Sequence, residues 1–495
     1  MLASILTQTI MTKFKISDIY LGVNDGKKEA LYRDDFENYF IEYNNNYKEI
    51  LKPEKYLIIG RKGSGKTILA EYVRKQSQLD SNWFCDIKSY KDFRFHELVN
   101  FKTNDISPNE YSAIWRWIVL IDIAKLLFED NGINETSSIN KLKTFFKENY
   151  YSLDIDAKKV IEINKNNKIN GSILKEILNI GGEIGKEIKF GDGSYLNYLE
   201  DLEEVIIKLL KSSKSKYTLF YDELDDRFQN DEFYRNSLIS LIKTIDSLNC
   251  QFLDKRIKFK IVLLIRTDIF SVLNDTDLNK LKVINTLNIN WGDRINSDAP
   301  LMNLIIHKAK KSNLELSTLS DYQVFKKLFP QDVKGVSPER FILERTFFRP
   351  RDIITFLNII IDKYPYSGYF GWKGLYEERN SYSEYLFDEV RNEMIGHISQ
   401  EEIDQGLKLL KNFNKHFFEF NDIKNYFEKN KSFYDKIDLE KILTEFFKFN
   451  VIGNRWYNTF KKRDYYTWYH RDNRAEIDFE KQIVIHLGLR EHLSM

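Results

Sequence analysis

Apolar runs at 56–59, 83–87, 217–221, 257–265 and 283–289 alternate with stretches whose apolar positions recur at helical spacing. Short apolar runs bounded by polar residues predict buried strands, and strands alternating with helices predict a parallel α/β sheet. The first run passes directly into a glycine-containing loop and then into the helix-patterned 68–75. Between the second and third runs, 89–215 reads as an insertion beyond a minimal sheet core. Its first half carries a helical stretch at 111–129. Its second half, 154–194, is rich in Lys, Asn and Gly and predicts exposed hairpins or a mobile loop. The pattern turns helical again at 301–363, and 364–382, with Pro365 and several glycines, predicts a connection. Three helices at 401–412, 421–429 and 438–449 follow, then a two-stranded hairpin from 451–458 and 465–471. The boundaries that result are an N-terminal region at 1–50, a core at 51–300, a helical segment at 301–382 and a C-terminal domain at 383–495.

A chain of 495 residues has room for roughly three domains at about 150 residues each. The balance of 75 Lys+Arg against 74 Asp+Glu leaves a net charge of +1, so no global field draws the chain to a polyanion, and any such site must be local. Cys85 and Cys250 are too few for a disulfide framework or a structural zinc site, which fits a reducing cytoplasm. No apolar run reaches the roughly 20 residues that span a bilayer, and the best, 114–127, is broken by Arg116, Asp122 and Lys125. No membrane partner is expected. The opening ten residues lack the basic region and cleavage site of a signal peptide, and Met11 offers an alternative start.

The loop Gly60-Arg61-Lys62-Gly63-Ser64-Gly65-Lys66-Thr67 satisfies G-x-x-x-x-G-K-[ST] between a strand and a helix, as a phosphate-binding loop requires. Its glycines let backbone amides turn toward phosphates. Lys66 reaches the β- and γ-oxygens of ATP, and Thr67 ligates Mg²⁺. The run 218–221 ends in Asp222-Glu223. An acid at the carboxyl end of a parallel strand, beside the strand that carries the loop, lies at the ligand crevice. Asp222 is therefore assigned to Mg²⁺ and Glu223 to the attacking water, while Asp225 and Asp226 read as a solvated acidic turn. The fourth run ends in Arg266-Thr267-Asp268, where a polar side chain can sense the γ-phosphate or simply cap the strand end; the sequence does not choose among the three, and Thr267 stands as the nucleotide-contact candidate. Arg349-Pro350-Arg351-Asp352 opens an apolar-periodic helix. Pro350 suits a helix start, and Arg349 or Arg351 can supply a guanidinium to the γ-phosphate from a lid or from a neighbouring subunit, with Arg340 and Arg345 as competitors. No metal cluster emerges among the seven histidines.

Taken together, GRKGSGKT, FYDELDD, IRTD and RPRD resemble AAA+-type P-loop ATPases of the catalytic-glutamate division. The nearest likeness is to bacterial members related to the origin-recognition and STAND branches, found in anti-phage defence and mobile-element contexts. The resemblance implies an α/β, parallel-sheet P-loop NTPase core with strand order 5-1-4-3-2, a helical lid and a C-terminal winged helix; the large insertion at 89–215 departs from the compact family core, and a homo-oligomer is expected. Residues 455–474 hold six Lys/Arg and two Asp, a local +4, interleaved with aromatics, and the turn carries Lys461, Lys462 and Arg463. That is the footprint of a phosphate-contacting hairpin, although the aromatics equally suit packing of the hairpin on its own domain. The expected function is a Mg-dependent ATPase whose nucleotide cycle controls nucleic-acid engagement, DNA being met through the C-terminal wing, in anti-phage defence. The alternative is a slow ATP-gated switch that recruits a separate effector protein.

Overall fold

Strands with no polar face must be covered on both sides, and the runs at 57–60, 216–222 and 259–266 are buried almost throughout. The computed structural model describes residues 14–91, 108–178, 194–224 and 228–494. Met11 and the acidic-turn residues Asp225 and Asp226 lie outside the described residues. The chain divides into two units, one of 44–62 and 66–289, the other of 1–43, 63–65 and 290–495.

The first unit is built on a five-stranded sheet of β1 (Leu57–Gly60), β2 (Trp83–Ser89), β3 (Lys216–Asp222), β4 (Phe259–Arg266) and β5 (Thr286–Ile289), every pair parallel. The strand order is β2-β3-β4-β1-β5, which is the order the resemblance implies, read from the other edge. It corrects one expectation. β3 is not beside β1, because β4 lies between them and pairs with both. Register aligns the carboxyl ends, with Gly60 opposite Arg266 and Ser89 opposite Asp222.

From β1 the chain enters α1 (Lys66–Ser77), which buries Leu69, Ala70 and Val73. The segment read as an insertion supplies part of the unit's core, because a parallel crossover from β2 to β3 needs helical packing of its own. Its main helix, α2 (Pro108–Glu129), buries Trp115, Trp117 and the apolar residues from Ile118 to Ile121. Residues 154–178 form helices rather than hairpins: α3 (Ala157–Asn166), capped by Asp156, and α4 (Ser172–Leu178). Val160, Ile161, Leu174 and Ile177 are buried there, an apolar spacing that the Lys/Asn-rich composition masks. The glycine-rich remainder, 179–193, lies outside the described residues.

In the second unit, Phe14, Ile16, Ile19 and Leu21 share one core with α5 (Pro300–Ser312), α6 (Pro350–Lys363) and α7 (Arg379–Met394). The expected connection at 364–382 is confined to 364–371, since Trp372–Glu377 is a short helix and α7 begins at Arg379, so that the boundary placed at 382/383 falls inside α7. Tyr382 is stacked on Phe356 of α6 at 4.6 Å, which holds α7 against its neighbour. The C-terminal part comprises α8 (Gln400–Phe413), β6 (Phe417–Phe418), α9 (Phe420–Lys429), α10 (Leu439–Lys448), β7 (Ile452–Asn458), β8 (Arg463–Thr467) and β9 (Gln482–Ile485). Its antiparallel sheet has the order β6-β9-β7-β8, so two strands join the predicted hairpin. No helix among the described residues is long and apolar enough to cross a membrane.

Candidate nucleotide site

The loop 60–67 leaves the buried end of β1 and enters α1 at Lys66. Gly63 and Gly65 sit at φ +75° and +100°, left-handed backbone that favours glycine. The Lys66 ammonium donates to the carbonyls of Gly60 at 2.9 Å and Arg61 at 3.2 Å, which lays the side chain back along its own loop.

Thr67 Oγ1 donates to Asp222 Oδ2 at 2.7 Å, across 155 positions of sequence. The other Asp222 oxygen accepts the Glu223 amide at 2.8 Å. Adjacent oxygens around octahedral Mg²⁺ stand about 2.9 Å apart, and a hydroxyl with a carboxylate is a hard donor pair, so Thr67 and Asp222 fit that ion. Glu223 adopts φ +59°, uncommon for a residue with a side chain. Its carboxylate accepts a hydrogen bond from the Ser89 hydroxyl. Ser89 escapes a reading of the sequence: the predicted strand stops at 87 and the insertion is read from 89, whereas β2 runs on to Ser89 and only the register sets it opposite Asp222. Arg266 is buried and forms a two-point ion pair with Asp268, at 3.1 and 2.5 Å. Thr267 between them is half-buried at the start of a short helix, one residue beyond the partner of Gly60.

In the second unit the two arginines of the RPRD string separate. Arg349 is 1% exposed. Its guanidinium donates to Asp352 at 2.8 to 3.0 Å and to Glu393. Burial works against its charge, but the two carboxylates outweigh burial and hold it protonated well above its ordinary range. Arg351 is half-buried, donates to Glu389 at 3.2 Å, and offers its backbone amide to the Gly63 carbonyl at 3.3 Å. The competitors are engaged locally: Arg340 pairs with Glu344 at 2.9 Å, and Arg345 lies 3.6 Å from the Phe341 ring centroid.

Lys461 and Lys462 are exposed on the β7–β8 turn, and Arg463 is exposed as the first residue of β8. Arg463 donates to the Tyr465 hydroxyl at 2.8 Å and lies over that ring, while Tyr465 stacks on Trp456. Among the described residues, no group of three or more His, Cys, Asp and Glu is arranged to hold a metal ion.

Residues 299–391 match the family described as "FunZ-associated C-terminal helical domain". A relative, the "Putative transposon gamma-delta 80.3 kDa protein" of Escherichia coli (strain K12), is 22% identical over 335 residues. The match takes in 65% of this chain and 44% of that protein, so the chain spans less than half of the relative's length. Among solved structures, the Aeropyrum pernix ORC1 protein in complex with DNA is similar at 12% identity, over 93% of this chain and 94% of that one, with a TM-score of 0.38. A likeness that loose carries no argument.

Proposed function

We propose that this chain is a Mg-dependent P-loop ATPase whose nucleotide cycle controls engagement of nucleic acid. The observation that carries the reading is the 2.7 Å contact between Thr67 and Asp222, which joins the end of the phosphate loop to the acid that ends β3. A chance glycine turn has no reason to meet a buried carboxylate from a strand two places away. The strand order supports the same reading.

Lys66 places its ammonium on the β- and γ-phosphates in exchange for the Gly60 and Arg61 carbonyls, and the Gly63–Gly65 amides line the anion. Thr67 and Asp222 would hold Mg²⁺, which would supply positive charge to offset that of the phosphates. Glu223 takes the proton of the attacking water, and for that its carboxylate must leave the Ser89 hydroxyl. Thr267 contacts the nucleotide from the end of β4. Of the two lid arginines, Arg351 is the one we assign to the γ-phosphate, since Arg349 is committed to Asp352 and Glu393.

We read α8 to α10 with β6 to β9 as a winged helix and the β7–β8 hairpin as its wing, which meets DNA through Lys461, Lys462 and Arg463. A mobile-element setting is supported by the transposon relative. Anti-phage defence, homo-oligomerisation and a separate effector rest on the family resemblance.

Fluorescent-nucleotide binding and phosphate release decide the core of the reading. Lys66→Ala should bind nucleotide at least tenfold more weakly. Glu223→Gln should bind ATP normally and turn it over at least a hundredfold more slowly, in line with loss of a general base. Normal turnover by Glu223→Gln would remove the assignment. Tight nucleotide with little turnover in the wild-type chain would favour the signalling switch.

A further inference from the structure

We propose that Trp291, in the segment just after β5, is a positioning residue for the phosphate loop: it sets the direction of the amides that receive the anion. The inference rests on the nucleotide reading above and adds a residue to it. The Trp291 indole Nε1 donates to the Ser64 carbonyl at 2.8 Å. The neighbouring Gly63 carbonyl accepts the Arg351 amide at 3.3 Å. Two successive carbonyls of the loop tip are thus held by donors of the second unit, to which 63–65 belong.

The consequence follows from peptide geometry. In a planar trans peptide, the carbonyl of one residue and the N–H of the next point in opposite directions. Holding the Ser64 carbonyl toward Trp291 turns the Gly65 N–H away from it. Holding the Gly63 carbonyl does the same for the Ser64 N–H. Successive N–H groups so directed form an anion-binding concavity. The tip has little stiffness of its own, because Ser64 stands between two glycines in left-handed conformation. Trp291 is itself fixed: its ring lies nearly parallel to that of Tyr43, at 9° and 4.8 Å between centroids.

A second observation points to a ligand at the same place. The Ser64 hydroxyl belongs to a residue only 4% exposed and has no hydrogen-bond partner among the described residues. Buried hydroxyls are normally paired, and a phosphate oxygen is the acceptor this loop's chemistry offers. These groups address the phosphates of a ligand, which on the nucleotide reading above is a nucleoside di- or triphosphate.

The test is Trp291→Phe, which keeps a ring for Tyr43 and removes the donor. A single hydrogen bond that preorganises the loop is worth about threefold to tenfold in affinity. ADP binding should weaken by that factor and KM for ATP should rise likewise. kcat should change little, because the amides serve ground state and transition state alike. Wild-type ADP affinity and KM in a folded Trp291→Phe overturn the inference, as does a lower Tm with unchanged nucleotide affinity, which would mark Trp291 as packing only. If Trp291→Phe does not fold, Tyr43→Leu, which frees the indole, takes its place with the same outcomes. Failure of the wild-type chain to bind ADP or ATP overturns the proposed function instead.

Discussion

Arg349 and Arg351 flank one proline, and nothing in the string RPRD tells them apart. The difference arises from residues far along the chain, since Glu393 and Glu389 on α7 take one arginine each. Arg349→Ala would leave Asp352 buried without its cation, a loss that typically costs about 3–5 kcal/mol. Urea unfolding should show that loss for Arg349→Ala and less than about 1 kcal/mol for Arg351→Ala, whose pair is partly exposed. Phosphate release should show the reverse ranking per folded molecule, with Arg351→Ala losing turnover and keeping most of its ADP affinity. The lysine on β4 adds a pH dependence. Burial, reinforced by Lys216, pushes the Lys260 amine from 10.5 down to about 7. Below about pH 7 both folded and unfolded chains carry its proton, and the burial penalty is complete. Between about 7 and 10.5 the folded chain has released the proton while the unfolded chain retains it, so this group's contribution to stability rises with pH. Lys260→Met should flatten that rise in Tm between pH 7 and 9; an unchanged slope would place the pH dependence elsewhere.

At the scale of elements, legibility follows length and apolar content. The phosphate loop, its flanking strand and helix, and the acid-bearing strand are readable because each is a local string. β6 and β9 are not: β6 has only two residues and pairs with β9 alone, and β9, with no motif beside it, is placed by its pairing with β6 and β7. The helix α3 is hidden by its lysines and asparagines, whose exposed face outweighs Val160 and Ile161 in composition though not in packing. Glycine near the C-terminus shows the same dependence on distant partners. A Cβ at Gly488 would lie 2.1 Å from the Arg345 carbonyl oxygen and 2.7 Å from Leu386. The first neighbour is backbone and cannot rotate away. Gly488→Ala should therefore destabilise by about 1–3 kcal/mol, read as a lower urea midpoint at unchanged m-value. A midpoint within error of wild type would show that 345–346 and 488 part more easily than their packing indicates.

Across the whole molecule, the sequence sets 14–43 in an N-terminal region directly ahead of the core read at 51–300, yet the fold assigns that segment to the unit built mainly from 290–495. Ile16 donates its amide to Ser367 at 2.7 Å, and Glu29 meets Lys308 at 2.8 Å in a buried pair 279 positions apart. Periodicity cannot report such pairings. Charge at this scale is equally uninformative, since +1 over 495 residues leaves no net field. Any attraction for DNA must be local, and Lys461, Lys462 and Arg463 are the exposed cations that the hairpin presents. If they neutralise phosphates, replacing all three with Ala should weaken duplex binding and make its salt dependence shallower, by about 0.9 in the log–log slope for each phosphate no longer neutralised. Sequence preference should hold, because phosphate contacts position a protein without reading bases. Arg463 also braces Tyr465, so Tm must be followed alongside; Lys461→Ala with Lys462→Ala isolates the charge effect from that brace. ATP turnover without DNA should persist in both variants, as no residue of the loop 60–67 or the acid pair is altered. Binding isotherms across a salt series decide the matter: an unchanged slope would make the basic turn a solvated end or a protein-docking surface, and would move the nucleotide cycle from control of DNA to recruitment of an effector.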